Sequence, residues 1–74
     1  MEYYIRLKEV REKNHKTQKE VASVLGTSQQ AYLKYEKGKT EMPVGKLIKL
    51  CRYYNVSADY LLGLADEDKK LVQE

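Results

Sequence analysis

The sequence predicts a small all-α domain of five helices, and three observations support this fold class. Apolar residues recur at intervals of three and four along much of the chain, which is the spacing of one face of a helix. Residues that typically begin or end helices stand at the borders of these stretches. Charged residues make up 34% of the 74 residues and apolar residues 42%, a balance that suits a compact helical domain. A chain of this length forms one domain with roughly one layer of buried side chains.

The first helix is predicted from about residue 3 to residue 13. Tyr3, Leu7 and Val10 follow the spacing of an inward stripe, and Arg11 and Asn14 continue it. Arg11 therefore lies beside the buried face, which is an unusual place for a charged side chain. A polar turn follows this helix.

His15 in that turn is the only histidine of the chain. It has no second histidine, no cysteine at ligand spacing and no nucleophile beside it, so metal binding or acid–base chemistry is not expected there. We expect a solvated turn residue.

Two short helices broken at Gly26 are predicted within residues 17–38. Thr17 and Glu20 have the spacing of a capping box that begins the first of them, and Gly26 ends it. Thr27 or Ser28 can cap the second, which we place at residues 28–37. The apolar face of the first helix consists of Val21, Ala22 and Leu25.

The helix at residues 28–37 has two different faces. On a wheel of about 100° per residue, Tyr32 and Tyr35 lie on one side. The opposite side presents polar groups and one apolar residue, namely Gln29, Gln30, Leu33, Lys34 and Lys37. Such a helix can bury its rings and offer hydrogen-bond donors and acceptors outward.

The fourth and fifth helices are predicted at about residues 43–54 and 58–62. Pro43 suits the first position of the fourth helix, and Asn55 suits a left-handed stop after it. Ser57 can cap the fifth helix, and Gly63 can end it. The apolar face of the fourth helix consists of Val44, Leu47, Ile48, Leu50 and Cys51. We expect Cys51 to be a small buried thiol, with redox sensing as the less supported alternative.

Seven tyrosines, with no phenylalanine or tryptophan, require an explanation. Tyrosines can form a binding surface or stack on single-stranded bases. Four of them nevertheless fall on inward stripes at helical spacing, so a mainly structural role is expected. These are Tyr32, Tyr35, one of Tyr53 and Tyr54, and Tyr60.

Charge is distributed unevenly along the chain. Residues 11–53 contain ten basic and four acidic residues, whereas residues 54–74 contain two basic and five acidic ones. The basic excess coincides with the two central helices and their flanks, where a polyphosphate partner would bind. Lysines that merely solvate helix faces are the alternative explanation.

Several functional classes are not expected. One histidine, one cysteine and scattered acids provide no catalytic set, metal site or cofactor site, so we predict a protein that is not an enzyme. No small-molecule ligand is evident. No apolar run approaches the roughly 18 residues of a membrane span, and one cysteine excludes an internal disulfide. We therefore expect a cytoplasmic protein without a signal peptide.

The central segment closely resembles the helix-turn-helix of the Cro/CI family of phage and bacterial repressors, also called the xenobiotic-response-element family. Gln18 opens the motif, Ala22 stands where the two helices approach, and Gly26 makes the turn. Tyr32 and Tyr35 occupy the two core positions of the second helix. The likeness also includes Tyr-Glu-Lys-Gly at 35–38 and the segments 47–50 and 55–63, so it covers about residues 3–64.

This resemblance implies a compact five-helix, lambda-repressor-like fold with the helix-turn-helix at about residues 17–37. The DNA-binding domain would span residues 1–64, and residues 65–74 would form a polar, frayed tail. In the family, an arginine at the position of Arg11 pairs with the glutamate of the closing signature, which is Glu36 here. Direct phosphate contact by Arg11 is the alternative.

The implied function is sequence-specific binding of double-stranded DNA by a transcriptional regulator, in the repressor class. Helix 28–37 would read the major groove through base-contacting residues, which are Ser28, Gln29, Gln30, Leu33 and Lys34. Backbone contacts would come from Gln18, Thr27, Lys37, Lys39 and Thr40. Leu33 either contacts a thymine methyl group or is partly buried by its neighbours.

The expected partner is a pseudo-palindromic operator bound by a weak homodimer that closes on DNA. Tyr60, Leu61 and Leu64 are the candidate dimer residues. The alternative function is a protein-interaction module of the same fold, either an antitoxin or an assembly partner, with Leu33 and tyrosines at its interface. RNA is a weaker third choice, because the major groove of A-form duplex is too deep and narrow for the helix.

Overall fold

The computed structural model describes residues 2–67 of the chain and contains five helices in that range. They are α1 at Tyr3–Lys13, α2 at Gln18–Leu25, α3 at Gln29–Glu36, α4 at Val44–Tyr54 and α5 at Ala58–Leu61. No residue of 2–67 lies in a strand. The predicted all-α class is confirmed. Helix α1 packs on α3 and α5, while α2 packs on α3 and α4.

Side-chain caps begin three of the helices as the sequence predicts. Thr17 forms the capping box with Glu20, because each side chain accepts the other residue's backbone N–H at 3.0 Å. Ser28, rather than Thr27, caps α3 by accepting the N–H of Ala31. Ser57 accepts the N–H of Tyr60 and so begins α5. These bonds satisfy donors that have no partner within the helix.

The position of Pro43 differs from the prediction by one residue. Pro43 is the N-cap of α4, with an extended ψ of 147°, and Val44 is the first helical residue. The carbonyl of Pro43 accepts the N–H groups of Lys46 and Leu47, so the helical bonds start from it. A proline φ of −62° fits the cap as well as the first turn, and the sequence therefore could not separate the two positions.

Every helix of the described range is followed, within two residues of its end, by a residue in the left-handed conformation. These residues are His15, Gly26, Gly38, Asn55 and Gly63. In each case the N–H of the following residue donates to the carbonyl five positions earlier, as from Lys39 to Lys34 at 3.0 Å. The same sharp ending at all five helices lets short helices reverse direction and pack together.

The core is built from tyrosines as much as from aliphatic residues. Tyr32, Tyr35, Tyr54 and Tyr60 are buried, whereas Tyr53 is 37% exposed, so the predicted structural role of the tyrosines is confirmed. Cys51 is also buried, as predicted, and burial raises the pKa of its thiol. The remaining core residues are Leu7, Val10, Val21, Ala22, Leu25, Leu50, Val56 and Leu61.

Two of the three dimer candidates lie inside the domain. Leu61 is 0% exposed and Tyr60 is buried, because the single turn of α5 packs on both α1 and α4. The prediction that Leu61 is spare apolar surface is therefore wrong. Leu64 is 76% exposed.

A buried arginine holds the C-terminal end of the described range. Arg6 donates from Nη1 to the carbonyl of Tyr60 at 2.6 Å and to the carbonyl of Ala65 at 3.0 Å. Its guanidinium also lies 4.3 Å from the centre of the Tyr60 ring. Ala65, the first residue of the predicted frayed tail, is thus fixed to α1, and residues 68–74 of that tail lie outside the described range. Among residues 2–67, no helix is long and apolar enough to cross a bilayer.

Candidate nucleic-acid interface

Helix α3 divides into a buried aromatic side and an exposed polar side. The rings of Tyr32 and Tyr35 meet edge to face with centroids 6.4 Å apart, and both are buried. Gln29, Gln30 and Lys34 are exposed on the other side. The rings therefore anchor the helix, and its amides and ammonium group face solvent.

The turn between α2 and α3 sets the position of the first residues of α3. Gly26 has a φ of +69°, which a residue without a side chain adopts at little cost, and Ala22 is buried where α2 and α3 pack. Thr27 is half-buried and Ser28 is exposed. Because the Ser28 oxygen accepts the N–H of Ala31, its hydroxyl hydrogen remains free to donate outward.

The predicted pair of Arg11 and Glu36 is present. Arg11 donates from Nε to Glu36 Oε2 at 2.6 Å and from Nη2 to Oε1 at 3.2 Å. The side chains are 11% and 2% exposed. Its hydrogen bond to Glu36 raises the pKa of Arg11. Since Nη1 also donates to the carbonyl of Lys16, the guanidinium is occupied within the protein, which disfavours direct phosphate contact.

Glu36 also binds the start of α2. Gln18 Nε2 donates to Glu36 Oε1 at 3.3 Å, so one carboxylate joins α1, α2 and α3. The Gln18 side chain is thereby oriented by the protein itself. Its backbone N–H at the beginning of α2 remains available to an anion.

The loop after α3 is held by two tyrosines of α1. The Tyr4 ring covers Gly38, where an added Cβ would lie 2.6 Å from Tyr4 Cε1. The Tyr3 hydroxyl accepts the N–H of Met42 at 3.1 Å. The loop exposes three of the residues that are predicted to contact the DNA backbone, which are Lys37, Lys39 and Thr40.

The segment that contains α2 and α3 matches a known family. A family model described as helix-turn-helix matches residues 7–61. The chain belongs to this helix-turn-helix family. The resemblance to the Cro/CI type is confirmed, and α2 and α3 are the two helices of the motif.

Three relatives, all from Bacillus subtilis (strain 168), are similar to the chain. It is 35% identical over 71 residues to the uncharacterized HTH-type transcriptional regulator YobD, covering 96% of this chain and 63% of that protein. It is 43% identical over 65 residues to the HTH-type transcriptional regulator ImmR, covering 88% and 51%. It is 42% identical over 57 residues to the SPbeta prophage-derived uncharacterized HTH-type transcriptional regulator YonR, covering 77% and 53%. The chain therefore spans between about half and 63% of these relatives. No solved structure gives a significant match.

The exposed charges around α3, the second helix of the motif, are all positive. Between Thr27 and Thr40 the chain contains Lys34, Lys37 and Lys39, all exposed, and its single acid is Glu36, which is buried. No exposed carboxylate of this segment therefore opposes a polyanion. Leu33 is half-buried, so its neighbours partly cover it even without a bound partner.

Two supporting residues, Arg6 and Tyr4, are not among the residues predicted from the sequence. Arg6 lies three residues after Tyr3 and four before Val10, so the spacing that places Arg11 beside the buried face applies to it as well. The role of Tyr4 has no local signal, because Gly38 is distant in sequence. Both residues act by holding segments of the helix-turn-helix domain in place.

Proposed function

We propose that the chain is a sequence-specific transcriptional regulator that binds double-stranded DNA and acts as a repressor in the cytoplasm. The observation that carries this proposal is the exposed face of α3, where two amides and an ammonium group stand on a helix anchored by buried rings. Family membership and the names of the three relatives, each a transcriptional regulator, support it.

In this proposal the N-terminal half of α3 reads base edges in the major groove. That groove is about 12 Å wide and admits a helix. The amides of Gln29 and Gln30 can each bond adenine N6 and N7, and Lys34 can reach guanine O6 and N7. Ser28 donates its free hydroxyl hydrogen to an acceptor on a base edge. The exposed part of Leu33 contacts a thymine methyl group.

Phosphate contacts on both sides of α3 would fix its register. Gln18 offers its backbone N–H at the start of α2, and Thr27 lies in the turn between the helices. The loop held by Tyr3 and Tyr4 supplies Lys37, Lys39 and Thr40. A fixed loop loses less conformational freedom on binding, which favours affinity.

We propose that the bound species is a two-fold dimer on a pseudo-palindromic operator. One helix reads roughly 4–5 base pairs, and about 1–3 kcal/mol per pair does not select one site in a genome. Two copies double that discrimination. Occupying an operator is the simplest route to repression for a domain of this size.

The test is selection of bound duplexes from a random-sequence pool, followed by gel shifts on the best site. Gln29→Ala and Gln30→Ala should each weaken the binding free energy by about 1–3 kcal/mol on that site and by far less on random duplex. Lys8→Ala, an exposed change outside the interface, is the control. Equal costs on both duplexes would show that the amides do not read bases. No enrichment of any duplex would reject the function and favour the protein-interaction module.

A further inference from the structure

One side of α4 is an apolar surface that residues 2–67 do not cover. Val44 is 70% exposed and Ile48 is 46% exposed, although both are branched aliphatic residues. Two shallow depressions of about 410 and 250 Å³ lie along this side and share Val44 and Leu47 as lining residues, so they form one continuous α4 groove. An exposed apolar groove of this kind is typical of a site that another segment of protein occupies.

Opposite charges stand at the two ends of the α4 groove. Glu41 lines the smaller depression, and Arg52 lines the larger one. Both side chains are exposed, and neither forms an ion pair with another residue in the range 2–67. Within α4, Arg52 lies about 12 Å along the helix axis from Val44. The α4 groove is thus acidic at one end, aliphatic in the middle and basic at the other end.

The chain leaves the described range beside the acidic end of the α4 groove. Leu62, directly after α5, lines the smaller depression, and so does Tyr3 at the start of α1. Ala65 is bound by Arg6, which lies about 4–5 Å along α1 from Tyr3. The residues from 65 to 74 span up to about 30 Å when extended. Residues that follow Ala65 can therefore enter the α4 groove at its acidic end and reach its basic end.

The last residues of the chain match the α4 groove in the same order. Residues 69–74 are two bases, two apolar residues, an amide and an acid, namely Lys69, Lys70, Leu71, Val72, Gln73 and Glu74. In a segment that enters at the acidic end, the bases meet the acid and the apolar pair meets the aliphatic middle. Glu74 then lies about 10 Å beyond Leu71, close to the spacing from Val44 to Arg52.

We propose that residues 69–74 bind in the α4 groove of the same molecule. Leu71 and Val72 cover its aliphatic middle, and the charged residues on either side pair with its ends. The order of the charges selects this occupant, because the connection through Ala65 fixes which end of the groove the segment meets first. Tethering raises the effective concentration of the segment to about the millimolar range, so a few contacts suffice. Any partner that binds this side of α4 must displace the segment.

Methyl NMR of the dilute full chain without DNA tests the contact directly. Nuclear Overhauser effects should connect the methyl groups of Leu71 or Val72 with those of Ile48. A mixture of two differently labelled samples reports only contacts between copies, and it should show none of these effects. Absence of the effects in the parent would overturn the proposal. Their presence in the mixture would overturn it as well, because the segment would then bind a second copy.

Removal of the apolar pair provides the reference for an empty groove. The double variant Leu71→Ser with Val72→Ser should shift the amide resonances of Val44 and Ile48, because these residues lose their cover. Gln73→Ser, at a position without a partner in the proposal, is the matched control and should leave those resonances in place. Equal shifts in both variants, or none in either, would overturn the proposal.

A charge exchange tests the direction of the segment. Arg52→Glu and Glu74→Arg alone should each lower the docking equilibrium constant roughly two- to fivefold, because an exposed ion pair becomes a like-charge pair. The double variant restores the pair with its signs exchanged and should recover the docking of the parent. Lys49→Glu, an exposed change on α4 that lines neither depression, should leave docking unchanged.

The docked fraction in this exchange follows from the Ile48 amide shift, measured for each variant against the same variant with Leu71→Ser and Val72→Ser. A double variant that docks more weakly than either single variant would overturn the direction. Because no DNA is present, these results are independent of the proposed function.

Discussion

Glu36 is the carboxylate on which three segments of the chain converge. Replacing it with alanine leaves Arg11 partly buried without its partner and removes the acceptor of the Gln18 amide. Breaking a buried pair in this way costs about 3–5 kcal/mol, against a total of about 5–10 for a domain of this size. Glu36→Ala should therefore melt at a much lower temperature, as followed by circular dichroism.

Glu9→Ala is the matched control for this change. Glu9 also accepts a bond from an arginine, Arg6, at 3.3 Å, but its side chain is 54% exposed. Arg6 is buried but keeps its bonds to the carbonyls of Tyr60 and Ala65 when the exposed Glu9 carboxylate is removed, so this variant should melt close to the parent. Similar melting of Glu36→Ala and Glu9→Ala would mean that burial of the Glu36 pair adds nothing to stability.

The buried tyrosine hydroxyls predict a decrease of stability in alkali. Burial raises the pKa values of Tyr32 and Tyr54 above the ordinary value of 10.0, and the Glu36 carboxylate raises both further. Their ionised forms are thus favoured only after unfolding. The free energy of unfolding should be level up to about pH 10 and fall as the pH rises beyond it. Thermal melts between about pH 7 and 11 measure this slope.

A pair of adjacent tyrosines provides the control for the alkaline effect. Tyr54→Phe removes a buried hydroxyl that has no hydrogen-bond partner, so it should flatten the alkaline slope without lowering stability at neutral pH. Tyr53→Phe keeps the buried Tyr54 hydroxyl and removes only a neighbouring group that adds to the rise of its pKa, so most of the alkaline slope should remain. The same slope in both variants would assign the effect to other groups.

At the scale of the helices, the glycine that follows α3 is covered by an aromatic ring, whereas the glycine that follows α2 is not. Gly26 and Gly38 have nearly equal φ values of +69° and +72°, so an alanine costs about 1–2 kcal/mol of backbone strain at either position. Only at Gly38 would its Cβ meet a ring, that of Tyr4. Gly38→Ala should therefore destabilise more than Gly26→Ala in chemical denaturation.

A double-mutant cycle isolates the contribution of the ring. Tyr4→Ala removes the three atoms nearest to a Cβ at position 38, so in this background Gly38→Ala should destabilise the domain about as much as Gly26→Ala. If Gly38→Ala still destabilises the domain more than Gly26→Ala when the Tyr4 ring is absent, the difference arises from the loop backbone instead.

Helix borders were predictable because their causes are local. Thr17, Gly26, Asn55, Ser57 and Gly63 all act within five residues of the helix end that they define, and the structure places each of them there. The ambiguity between Thr27 and Ser28, and the single-residue error at Pro43, concern neighbours with equal local preference. Contacts between elements lacked such signals, and burial of Leu61 and Arg6 depends on how α5 packs on α1.

For the whole molecule, the uneven charge predicts how DNA binding responds to salt. The basic excess of residues 11–53 includes Lys37 and Lys39, for which we propose contacts with the phosphate backbone of DNA. Lys37→Ala and Lys39→Ala should weaken binding to all duplexes alike. Each should lower the slope of log affinity against log salt by about 0.9 for every phosphate that the lysine no longer neutralises. Lys8→Ala should keep the parent slope, and an unchanged slope in all three would place these lysines off the DNA.

The residues exposed at the candidate site were predictable from the sequence. The contacts that hold them in position were predictable only in part. The exposed amides and lysines follow from helical periodicity and from the resemblance, whose motifs cover α2 and α3. The Glu36 pair followed from the resemblance alone. The bonds from Gln18 to Glu36 and from Tyr3 to Met42 join residues 18 and 39 positions apart, and periodicity does not report such distances.

The bonds of Arg6 have a consequence for the kinetics of the domain. They join residues 54 and 59 positions apart, whereas each helix ending closes over five residues. Contacts of such large separation form late on the folding path, because a long loop must close first. A contact absent from the transition state slows unfolding and leaves the folding rate unchanged. Stopped-flow measurements on Arg6→Lys should therefore show faster unfolding and a folding arm that overlays that of the parent, which would mean that these bonds prolong the lifetime of the native domain.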